Sequence, residues 1–448
     1  MRLVLLLGER EYDLGSQEAL ASIRSALPRA RLVLVKKTTR WYRWNARALA
    51  SSVEKVLNVD SSHPACVAAV LGALDGRSVD GVVAIHEDCL RSAAAIAAAR
   101  GLGSPDASVV ETCRDKLRLR EVLSRAGIGA PASVPCTTVG QAREAAIRLG
   151  LPVVVKPRDK AGSTGVMIVE KADEVAAAFS LSQRCRWSES RSEEVLVEPY
   201  YPGPIVTING VVWGGSFSLV ATSTKKTCWH PFFLTSEDQM PAAVPQDVEA
   251  ACVEAVRRGC RATGLVQGVV HAEVAVAGHG PRILEMTPRP GGGYVAPMVR
   301  AHSGVDLFAL AARIAVGLPP DPPPREPARH VVGRVLRSRE QGVLTDFRAP
   351  SAGEGIEAVR WTKRRGDRIG APPGDFFAEL GFVVASGRTG IEASDRLERY
   401  VGVVRAAVGE RGLLGRSAVL LRRIARDERL LHGLASFLRA RALPPRWS

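Results

Sequence analysis

Two glutamates that flank a predicted hairpin turn carry the clearest chemical signal in the sequence. The stretch HAEVAVAGHGPRILEM alternates along both arms and has glycines and a proline at its centre, which is typical of a β-hairpin. If the turn centres on His279, Glu273 and Glu285 each lie six residues from it and face one another. Directly opposed like charges destabilise a sheet, so a positive group is expected between them. Mg²⁺ suits this position because it prefers oxygen ligands, one or two of them protein carboxylates. The alternative is a pair of carboxylates on a solvent-facing side of the sheet.

The residues that follow this hairpin could complete an anion site. Thr287 can place a hydroxyl near the same ion, and Arg289, between two prolines, offers a planar fork that suits phosphate or carboxylate oxygens. The glycines after it let backbone amides approach a ligand without obstruction by side chains: Gly291, Gly292 and Gly293. Carboxylate, metal ion and phosphate are therefore expected to meet where the strand ends.

Two lysines and a polar loop earlier in the chain could bind phosphate. Lys156 closes the apolar run VVV at a predicted strand end, and Lys116 lies in a predicted helix. The alternative is that both lysines are merely solvated: a lysine at a strand end often reaches solvent with its ammonium group, and a lysine in a helix usually lies on the exposed face. The loop RDKAGSTG, however, follows Lys156 and offers backbone amides and hydroxyls to phosphate at Gly162, Ser163, Thr164 and Gly165. It is not a Walker A sequence, because no GxxxxGK[ST] pattern occurs there.

The elements that must position these groups begin with a predicted open parallel α/β sheet. Residues 1–105 alternate short apolar runs with helical patterns, and MRLVLLL is interpreted as the first strand and not as a secretory signal. Ligands bind at the carboxyl ends of strands in such sheets, which makes Glu87, soon after the run VVAI, a candidate substrate-binding residue. The alternative is that Glu87 and Asp88 only favour the dipole of the next helix from its first turn.

Strand, helix and proline patterns divide the chain into five predicted segments. The most obvious boundary is LPPDPPPREP, where proline prevents regular helix and favours an extended spacer. The segments are an N-terminal α/β domain at 1–110, a core at 111–317 with lobes at 111–197 and 198–317, a proline-rich linker at 318–328, a C-terminal β-containing domain at 329–405 and a basic helical tail at 406–448. Apolar residues recur at helical spacing among the arginines of the tail, which favours packing on the protein itself or on a second subunit. The alternative is attachment to an acidic partner or to a membrane surface.

Composition narrows the class of protein. Of 448 residues, 46% are hydrophobic and 24% are charged, and no apolar run approaches the roughly 18 residues of a membrane helix. The eight cysteines contain no CxxC pair, so neither a zinc site nor a disulfide framework is indicated, and a cytoplasmic location is expected. The net charge of +15 suggests nucleic acid, but residues 411–448 carry nine arginines against two acidic residues. The basicity is therefore partly a property of the tail, and no nucleic-acid partner is expected.

Five motifs in this order resemble the ATP-grasp superfamily of ATP-dependent carboxylate–amine ligases. They are a DK pair, LPVVVKP with its glycine-containing loop, VLVEPYYPG, HAE and LEMTPRPGGG. The resemblance covers about residues 1–405 and is nearest to the branch that joins amino acids into dipeptides, with biotin carboxylase as a more distant relative. It implies an α/β ATP-grasp fold, in which an N-terminal open parallel domain precedes a two-lobed nucleotide-binding core and a small C-terminal β-containing domain.

The resemblance also implies a nucleotide site. Lys116 and Lys156 would hold the phosphates of ATP, and the loop at 159–165 would cover them. A hinge between the lobes would contact adenine through Glu198, Pro199, Tyr200 and Tyr201. In the second half of the site, Glu273 and Glu285 would ligate Mg²⁺ or Mn²⁺, and the arginine of LEMTPRPGGG would steady a phosphorylated intermediate.

This chain departs from the family pattern at three positions. Thr287 stands where the third metal ligand is usually Asn. Ile205 stands where an acidic residue is common after the hinge turn. In the dipeptide-ligase branch a histidine often ends a stretch similar to FFxETGH, whereas FFLTSED has Asp238 there, which makes this residue a candidate for substrate binding.

The function that this resemblance implies is an ADP-forming ligase. It would activate a small carboxylic acid, an amino acid in the first place, as an acylphosphate and join it to an amine. One alternative is a reaction like that of biotin carboxylase or of a purine-pathway enzyme, with bicarbonate or formate as substrate. Another is an ATP-binding module that has lost catalysis. Small-molecule acid and amine substrates are the expected partners, and a homo-oligomer is possible.

Overall fold

The computed structural model describes residues 2–8, 14–37, 52–185, 192–278, 280–320 and 329–409. Three of the sequence-based expectations lie wholly or largely outside these residues. They are the turn centre at His279, the proline-rich linker and the basic tail.

The N-terminal unit is an open sheet of four parallel strands, in the order β3–β2–β1–β4. Its central strands are runs of buried aliphatic residues because helices cover both faces. This confirms the predicted parallel α/β architecture. The elements are β1 (Leu3–Leu7), α1 (Leu14–Ala26), β2 (Arg31–Val35), β3 (Lys55–Leu57), α2 (Cys66–Leu74), β4 (Gly81–Ala84) and α3 (Leu90–Ala99).

Two consecutive helices lead from this sheet into a small lobe. Asp106 caps α4 (Ala107–Arg114), and Asp115 caps α5 (Lys116–Arg125), each by accepting backbone N–H groups of the first turn. The lobe is a four-stranded antiparallel sheet in the order β5–β8–β6–β7, with two helices packed on its core. Its elements are β5 (Val134–Cys136), α6 (Val139–Leu149), β6 (Val153–Pro157), β7 (Met167–Val169), α7 (Val175–Arg184) and β8 (Val195–Pro199).

The remaining strands form one sheet of eight strands and one of three. The strands are β9 (Ile205–Trp213), β10 (Ser216–Cys228), β11 (Leu234–Met240), β12 (Gly268–Ala277), β13 (Gly280–Thr287), β14 (His330–Arg337), β15 (Gly342–Arg348), β16 (Ile356–Trp361), β17 (Arg368–Ile369), β18 (Glu379–Gly387) and β19 (Arg405–Gly409). The large sheet is antiparallel, in the order β13–β12–β9–β10–β11–β14–β18–β16. Strand β14 pairs directly with β11, so the C-terminal segment after the linker extends the sheet of the large lobe.

Four further helices cover these sheets: α8 (Gln246–Ala262), α9 (Val295–Ser303), α10 (Leu307–Ala315) and α11 (Gly390–Val403). Apolar residues of α9 and α10 pack on one side against the N-terminal sheet and on the other against the large sheet. These two helices thereby join the N-terminal domain to the large sheet. Within the described residues, no helix has the length and apolar character needed to cross a membrane.

Candidate active site

The predicted carboxylate pair is present on the hairpin of β12 and β13. In the antiparallel register Glu273 lies opposite Glu285, and the register shifts directly after Glu273. Ala272 and Val274 belong to the apolar cluster that packs on α8. Because alternate residues of a strand point to opposite faces, the glutamates lie on the other face of the sheet. The predicted hairpin is confirmed, but the pairing nearest its turn, Ala277 with Gly280, would continue to Glu273 opposite Leu284, and the register shift brings Glu273 opposite Glu285 instead.

A lysine from β10 supplies the positive charge that such a pair requires. Lys225 Nζ forms an ion pair with Glu273 Oε1 across the intervening strand β9. Burial opposes ionisation of Glu273, but nearby cationic groups, Lys225 foremost, together outweigh this effect and hold the pKa of Glu273 below its usual value. The side chain of Glu285 has no hydrogen bond or ion pair with any described residue. Its carboxylate is therefore available to a ligand.

The paired carboxylates fit a hard divalent cation. Mg²⁺ commonly takes one or two protein carboxylates and completes its shell with water and phosphate oxygens. In the part of the chain that is described, no cluster of three or more His, Cys, Asp or Glu side chains could hold a metal ion by itself. Thr287 donates its hydroxyl hydrogen to Glu87 Oε2 at 2.8 Å, so its role as a further ligand stays a prediction. Glu273 and Glu285 are the residues that would hold Mg²⁺.

Arg289 lies just beyond the end of β13, and two hydrogen bonds fix its side chain. Nε donates to Glu87 Oε2 at 2.7 Å, and Nη1 donates to the carbonyl oxygen of Pro290 at 2.6 Å. Nη2 has no hydrogen-bond partner among the residues whose structure is described. The side chain is 10% exposed. This nitrogen is therefore free to contact an anionic ligand.

Glu87 follows β4 closely, as predicted, and its side chain is buried. Oε1 forms an ion pair with Arg114 Nη1 at 3.3 Å, while Oε2 accepts hydrogen bonds from Thr287 and Arg289. Burial by itself raises the pKa of Glu87, but Arg289 and Arg114 outweigh burial and lower it to about 2. Glu87 is thus an ionised carboxylate with a protein partner at each oxygen. It also lies in the first turn of a short helix, Glu87–Cys89, as the alternative interpretation expected.

The glycine turn after Arg289 packs closely against β12. A Cβ atom on Gly291 would lie 2.5 Å from Val295 Cγ1 and 3.0 Å from His271 Nδ1. Gly293 has a φ of +61°, which favours glycine. Beneath the turn, His271 Nδ1 also lies 2.9 Å from Asn209 Oδ1. Burial lowers the pKa of His271 to about 4, so the imidazole is neutral at physiological pH. Ligand contacts by the amides of this turn stay a prediction.

The two predicted phosphate lysines lie in buried networks. Lys156, in β6, forms an ion pair with Glu198 Oε2, and Arg120 Nε lies 3.2 Å from Oε1. Lys116, the first residue of α5, donates to the carbonyl oxygen of Lys160 in the predicted phosphate loop. Burial lowers the pKa of Lys156 to about 8, although Glu198 acts in the opposite direction. Burial raises the pKa of Glu198, but Arg120 and Lys156 outweigh it and hold that pKa at about 2.

One electrostatic effect and one hydrogen bond link the lysine network to the hairpin of the carboxylate pair. The charge of Lys116 contributes to the lowered pKa of Glu273. Arg120 Nη2 donates to the carbonyl oxygen of Leu284 on β13 at 2.6 Å, which ties α5 to the hairpin. Groups suited to phosphate and groups suited to a divalent cation are therefore neighbours, although they come from different lobes.

The predicted phosphate loop is held at its tip. Ser163 Oγ donates to a backbone carbonyl of the β10–β11 connection at 2.7 Å, and a Cβ atom on Gly162 would lie 3.2 Å from the ring of Phe377. Positive φ values of +65°, +55° and +73° occur at Gly162, Ser163 and Gly165. Thr164 Oγ1 is buried and has no hydrogen-bond partner among the described residues. A buried hydroxyl without a partner in this loop fits a ligand oxygen.

The predicted hinge joins β8 to β9. Glu198 turns its carboxylate into the lysine network, so only its backbone remains for adenine. Tyr200 donates its backbone N–H to the carbonyl oxygen of Pro152 at 3.1 Å. Pro199 and Tyr201 are half-buried beside it. Contact of these residues with adenine stays a prediction.

Asp238 is buried within the large sheet, opposite Lys225 in the register of β10 and β11. It accepts hydrogen bonds from the hydroxyls of Tyr294, at 2.5 Å, and of Ser223, at 3.4 Å. Burial raises the pKa of Asp238. Its carboxylate therefore belongs to a polar network beside the Lys225–Glu273 ion pair. Contact of Asp238 with substrate stays a prediction.

Three charged residues of the site were missed by sequence reasoning: Arg114, Arg120 and Lys225. A charge within a strand or helix pattern is usually on a solvated face, and nothing local distinguishes Lys225 from the exposed Lys226. A signal did exist for Arg120. It lies four residues after Lys116, which places both side chains on one face of α5.

A small antiparallel lobe and a larger sheet that together enclose lysines and paired carboxylates define the ATP-grasp architecture. A sequence profile described as the ATP-grasp domain matches residues 149–298. The fold is similar to the crystal structure of L-amino acid ligase from Bacillus licheniformis, with a TM-score of 0.75 and 19% identity over 92% of this chain and 99% of that one.

Two relatives in sequence extend this finding. Carnosine synthase 1 of Gallus gallus is 30% identical over 303 residues, which are 63% of this chain but 32% of the relative, so the chain spans about a third of that protein. The D-alanine–D-alanine ligase of Gloeobacter violaceus is 32% identical over 213 residues, 45% of this chain and 67% of the relative. The chain belongs to the ATP-grasp family.

Proposed function

We propose that this protein is an ATP-dependent ligase that activates a small carboxylic acid, an amino acid, as an acylphosphate and joins it to an amine, with release of ADP and phosphate. The observation that carries the proposal is the contact between the lysine network and the hairpin of the carboxylate pair, whose strand β13 leads into Arg289. The charge of Lys116 reaches Glu273, and Arg120 ties the lysine network to β13. Such a set of groups suits the terminal phosphates of a nucleotide.

The chemistry requires activation because a carboxylate is anionic and has no good leaving group. Transfer of the γ-phosphoryl group converts it into a mixed anhydride that an amine can attack. Negative charge is spread over the transferring phosphoryl oxygens in the transition state, so fixed cationic groups around it lower the barrier.

Each group of the site has a role in this proposal. Lys116 and Lys156 hold the phosphates of ATP, and the loop that contains Thr164 covers them and excludes water. Glu273 and Glu285 would hold Mg²⁺, which when bound would supply positive charge that neutralises phosphate oxygens. Arg289 directs its free Nη2 towards the same oxygens and steadies the acylphosphate.

The relatives support an amino acid as the activated acid. Their names are carnosine synthase, D-alanine–D-alanine ligase and L-amino acid ligase, and all belong to proteins that act on amino acids or join them. All eight cysteines of the chain are free, which supports a reducing compartment such as the cytoplasm. Assembly into a homo-oligomer stays a prediction.

Screening pairs of amino acids for ATP-dependent phosphate release tests the function. Phosphate release that requires both an acid and an amine supports the ligase, whereas ATP binding without turnover in every pair would favour a module without catalysis. With the correct acid, hydroxylamine should replace the amine and yield a hydroxamate while ATP is converted to ADP and phosphate. Formation of AMP and pyrophosphate would rule out the acylphosphate mechanism.

A further inference from the structure

A single carboxylate, that of Glu87, joins two arginines from different parts of the chain. Arg114 ends α4, and Arg289 follows β13, so the three residues come from three separate segments. The side chains of Glu87 and Arg114 are each 3% exposed. Thr287 adds a third hydrogen bond, at 2.8 Å. These contacts form one buried cluster behind the free nitrogen of Arg289.

The cluster continues to the phosphate loop. Arg114 Nη2 donates to the carbonyl oxygen of Asp159 at 3.3 Å, while its Nη1 contacts Glu87. Asp159 begins the segment that the proposed function places over the phosphates. Arg114 thus connects the backbone of this loop to Glu87, and Glu87 connects it to Arg289.

The two bonds of Arg289 fix the plane of its guanidinium group. Nε is held by Glu87 and Nη1 by the carbonyl oxygen of Pro290, so two of the three nitrogens of this planar group are anchored. Loss of the Glu87 bond would leave the side chain with a single anchor on its own neighbour. The direction of Nη2 therefore depends on a residue of the N-terminal domain.

We propose that Glu87 is a positioning residue for Arg289, held in place by Arg114, so that the N-terminal domain and the phosphate loop set the orientation of this arginine. The proposal differs from the expectation that Glu87 binds substrate, because each of its oxygens already has a protein partner. It rests on the proposed function for its kinetic consequences. The contact itself can be tested without any reaction.

The first experiment measures the accessibility of Arg289. The wild-type protein and the variants Glu87→Gln and Arg114→Lys are treated with phenylglyoxal, and modification of the peptide that contains Arg289 is followed by mass spectrometry. Both variants should react severalfold faster at Arg289 than the wild type, since lysine cannot contact Glu87 and the loop carbonyl at once. An unchanged rate in folded variants overturns the proposal, whether or not the protein is a ligase.

A matched control breaks another ion pair between α4, which carries Arg114, and α3, the helix that follows Glu87 in the chain. Glu111, on α4, pairs with Arg91, on α3, at 3.1 Å and does not contact Arg289. Glu111→Gln should leave the modification rate of Arg289 at the wild-type value. Faster modification in this control as well would mean that any loosening of the N-terminal domain exposes Arg289, which would contradict a specific role for Glu87.

The second experiment is a double-mutant cycle in the ligase assay. Glu87→Gln should lower kcat by roughly 100-fold, because a reacting group displaced by about 1 Å loses about that much. The KM for the acid should change little. A substrate acid that lacks the α-amino group should show the same loss of kcat, because in this proposal Glu87 does not bind that group. If Glu87 acts through Arg289, adding Glu87→Gln to Arg289→Lys should cost little further activity.

Three kinetic outcomes would overturn the proposal: full activity of Glu87→Gln, losses that add in the double variant, or an effect confined to the KM of acids with an amino group. An effect confined to the KM of acids with an amino group would indicate that Glu87 binds the substrate. If Glu87→Gln does not fold, Glu87→Asp keeps the charge, withdraws the carboxylate by one methylene and carries the same expectations. Failure of the wild type to release phosphate with any pair of amino acids would reject the proposed function. The phenylglyoxal rates would still test whether Glu87 holds Arg289.

Discussion

Glu273 and Glu285 lie directly opposite each other on β12 and β13, yet Lys225 forms an ion pair with Glu273 alone. The two carboxylates are therefore not equivalent before a ligand binds. Glu273 has a counter-ion in direct contact, whereas Glu285 forms no ion pair with a described residue and attracts Lys225 only from a greater distance. Turnover and stability can consequently respond differently to their replacement.

Glu273→Gln and Glu285→Gln should each lower turnover by roughly 100-fold or more, because each removes charge from the proposed metal site. Their effects on stability should differ. Glu273→Gln leaves Lys225 without its counter-ion and should lower Tm, whereas Glu285→Gln relieves repulsion between like charges and should not. Phosphate release and thermal unfolding of both variants check these expectations.

The control for this pair is Glu254→Gln, which alters an exposed ion pair with Arg257 on α8. It should leave both activity and Tm close to the wild type, since exposed pairs contribute little. Near-normal activity of both hairpin variants at saturating Mg²⁺ would contradict the assignment of Glu273 and Glu285 as metal ligands.

Arg289→Lys should also reduce kcat/KM by roughly 100-fold, as removal of one oxyanion contact commonly does. An ammonium group carries the same charge but cannot bond Glu87 and Pro290 and still present a third nitrogen to the ligand. Steady-state kinetics with Arg257→Lys as the exposed control measures the effect. A wild-type kcat/KM in Arg289→Lys would contradict the role of the guanidinium group.

Affinity for ATP should weaken as the pH rises through about 8, the pKa to which burial lowers Lys156. The sign follows from the charge: Lys156 is protonated and attracts phosphate below this pH and is neutral above it. Calorimetric titration with ATP between about pH 6.5 and about pH 9.5 measures the change. Lys156→Arg should flatten the profile because arginine keeps its charge, while Lys226→Arg should not. An unchanged affinity across this range in the wild type would refute the assignment.

Gly162→Ala should impair the phosphate loop, because alanine is strained at a φ of +65° and its Cβ would lie 3.2 Å from the ring of Phe377. We expect a higher KM for ATP with little change in Tm. Gly76→Ala is the matched control: its φ is +72°, but no atom lies within 4 Å of the added Cβ. Equal KM values for the two variants would show that the loop tolerates the change.

Acid should destabilise the protein through Glu87 and Glu198, whose pKa values fall from an ordinary 4.5 to about 2 in the folded state. A carboxylate whose pKa is lower in the folded state stabilises the protein at pH values above its unfolded-state pKa. This stabilisation is lost as the pH falls towards the folded-state pKa. Each carboxylate should contribute on the order of 3 kcal/mol at neutral pH.

Denaturant unfolding between about pH 7 and about pH 2.5 measures this contribution. Glu198→Gln should be less stable at neutral pH, since it leaves Lys156 and Arg120 without their counter-ion, but its stability should change less on acidification. A wild-type free energy of unfolding that stays constant down to about pH 2.5 would reject the buried ionised state of these residues.

The sequence determined the features that depend on neighbouring residues. The alternating pattern and the turn residues predicted the hairpin, but the opposition of Glu273 and Glu285 depends on the register shift directly after Glu273 and does not follow from the turn alone. The apolar runs before Lys156 and Glu87 placed both residues near strand ends for the same local reason. The order of the motifs then indicated the family and its architecture.

Only the tertiary structure decided which charges meet. Lys225 and Glu273 are 48 residues apart, and Glu87 and Arg289 are 202 residues apart. The pairing of β14 with β11 likewise joins strands on both sides of a proline-rich linker that suggested two separate units. Such contacts arise from the packing of whole helices and sheets, and an isolated charge in a strand or helix looks the same in sequence whether it faces solvent or a buried partner. The counter-ions of this site, and the link from the phosphate loop to Arg289, are therefore products of the fold.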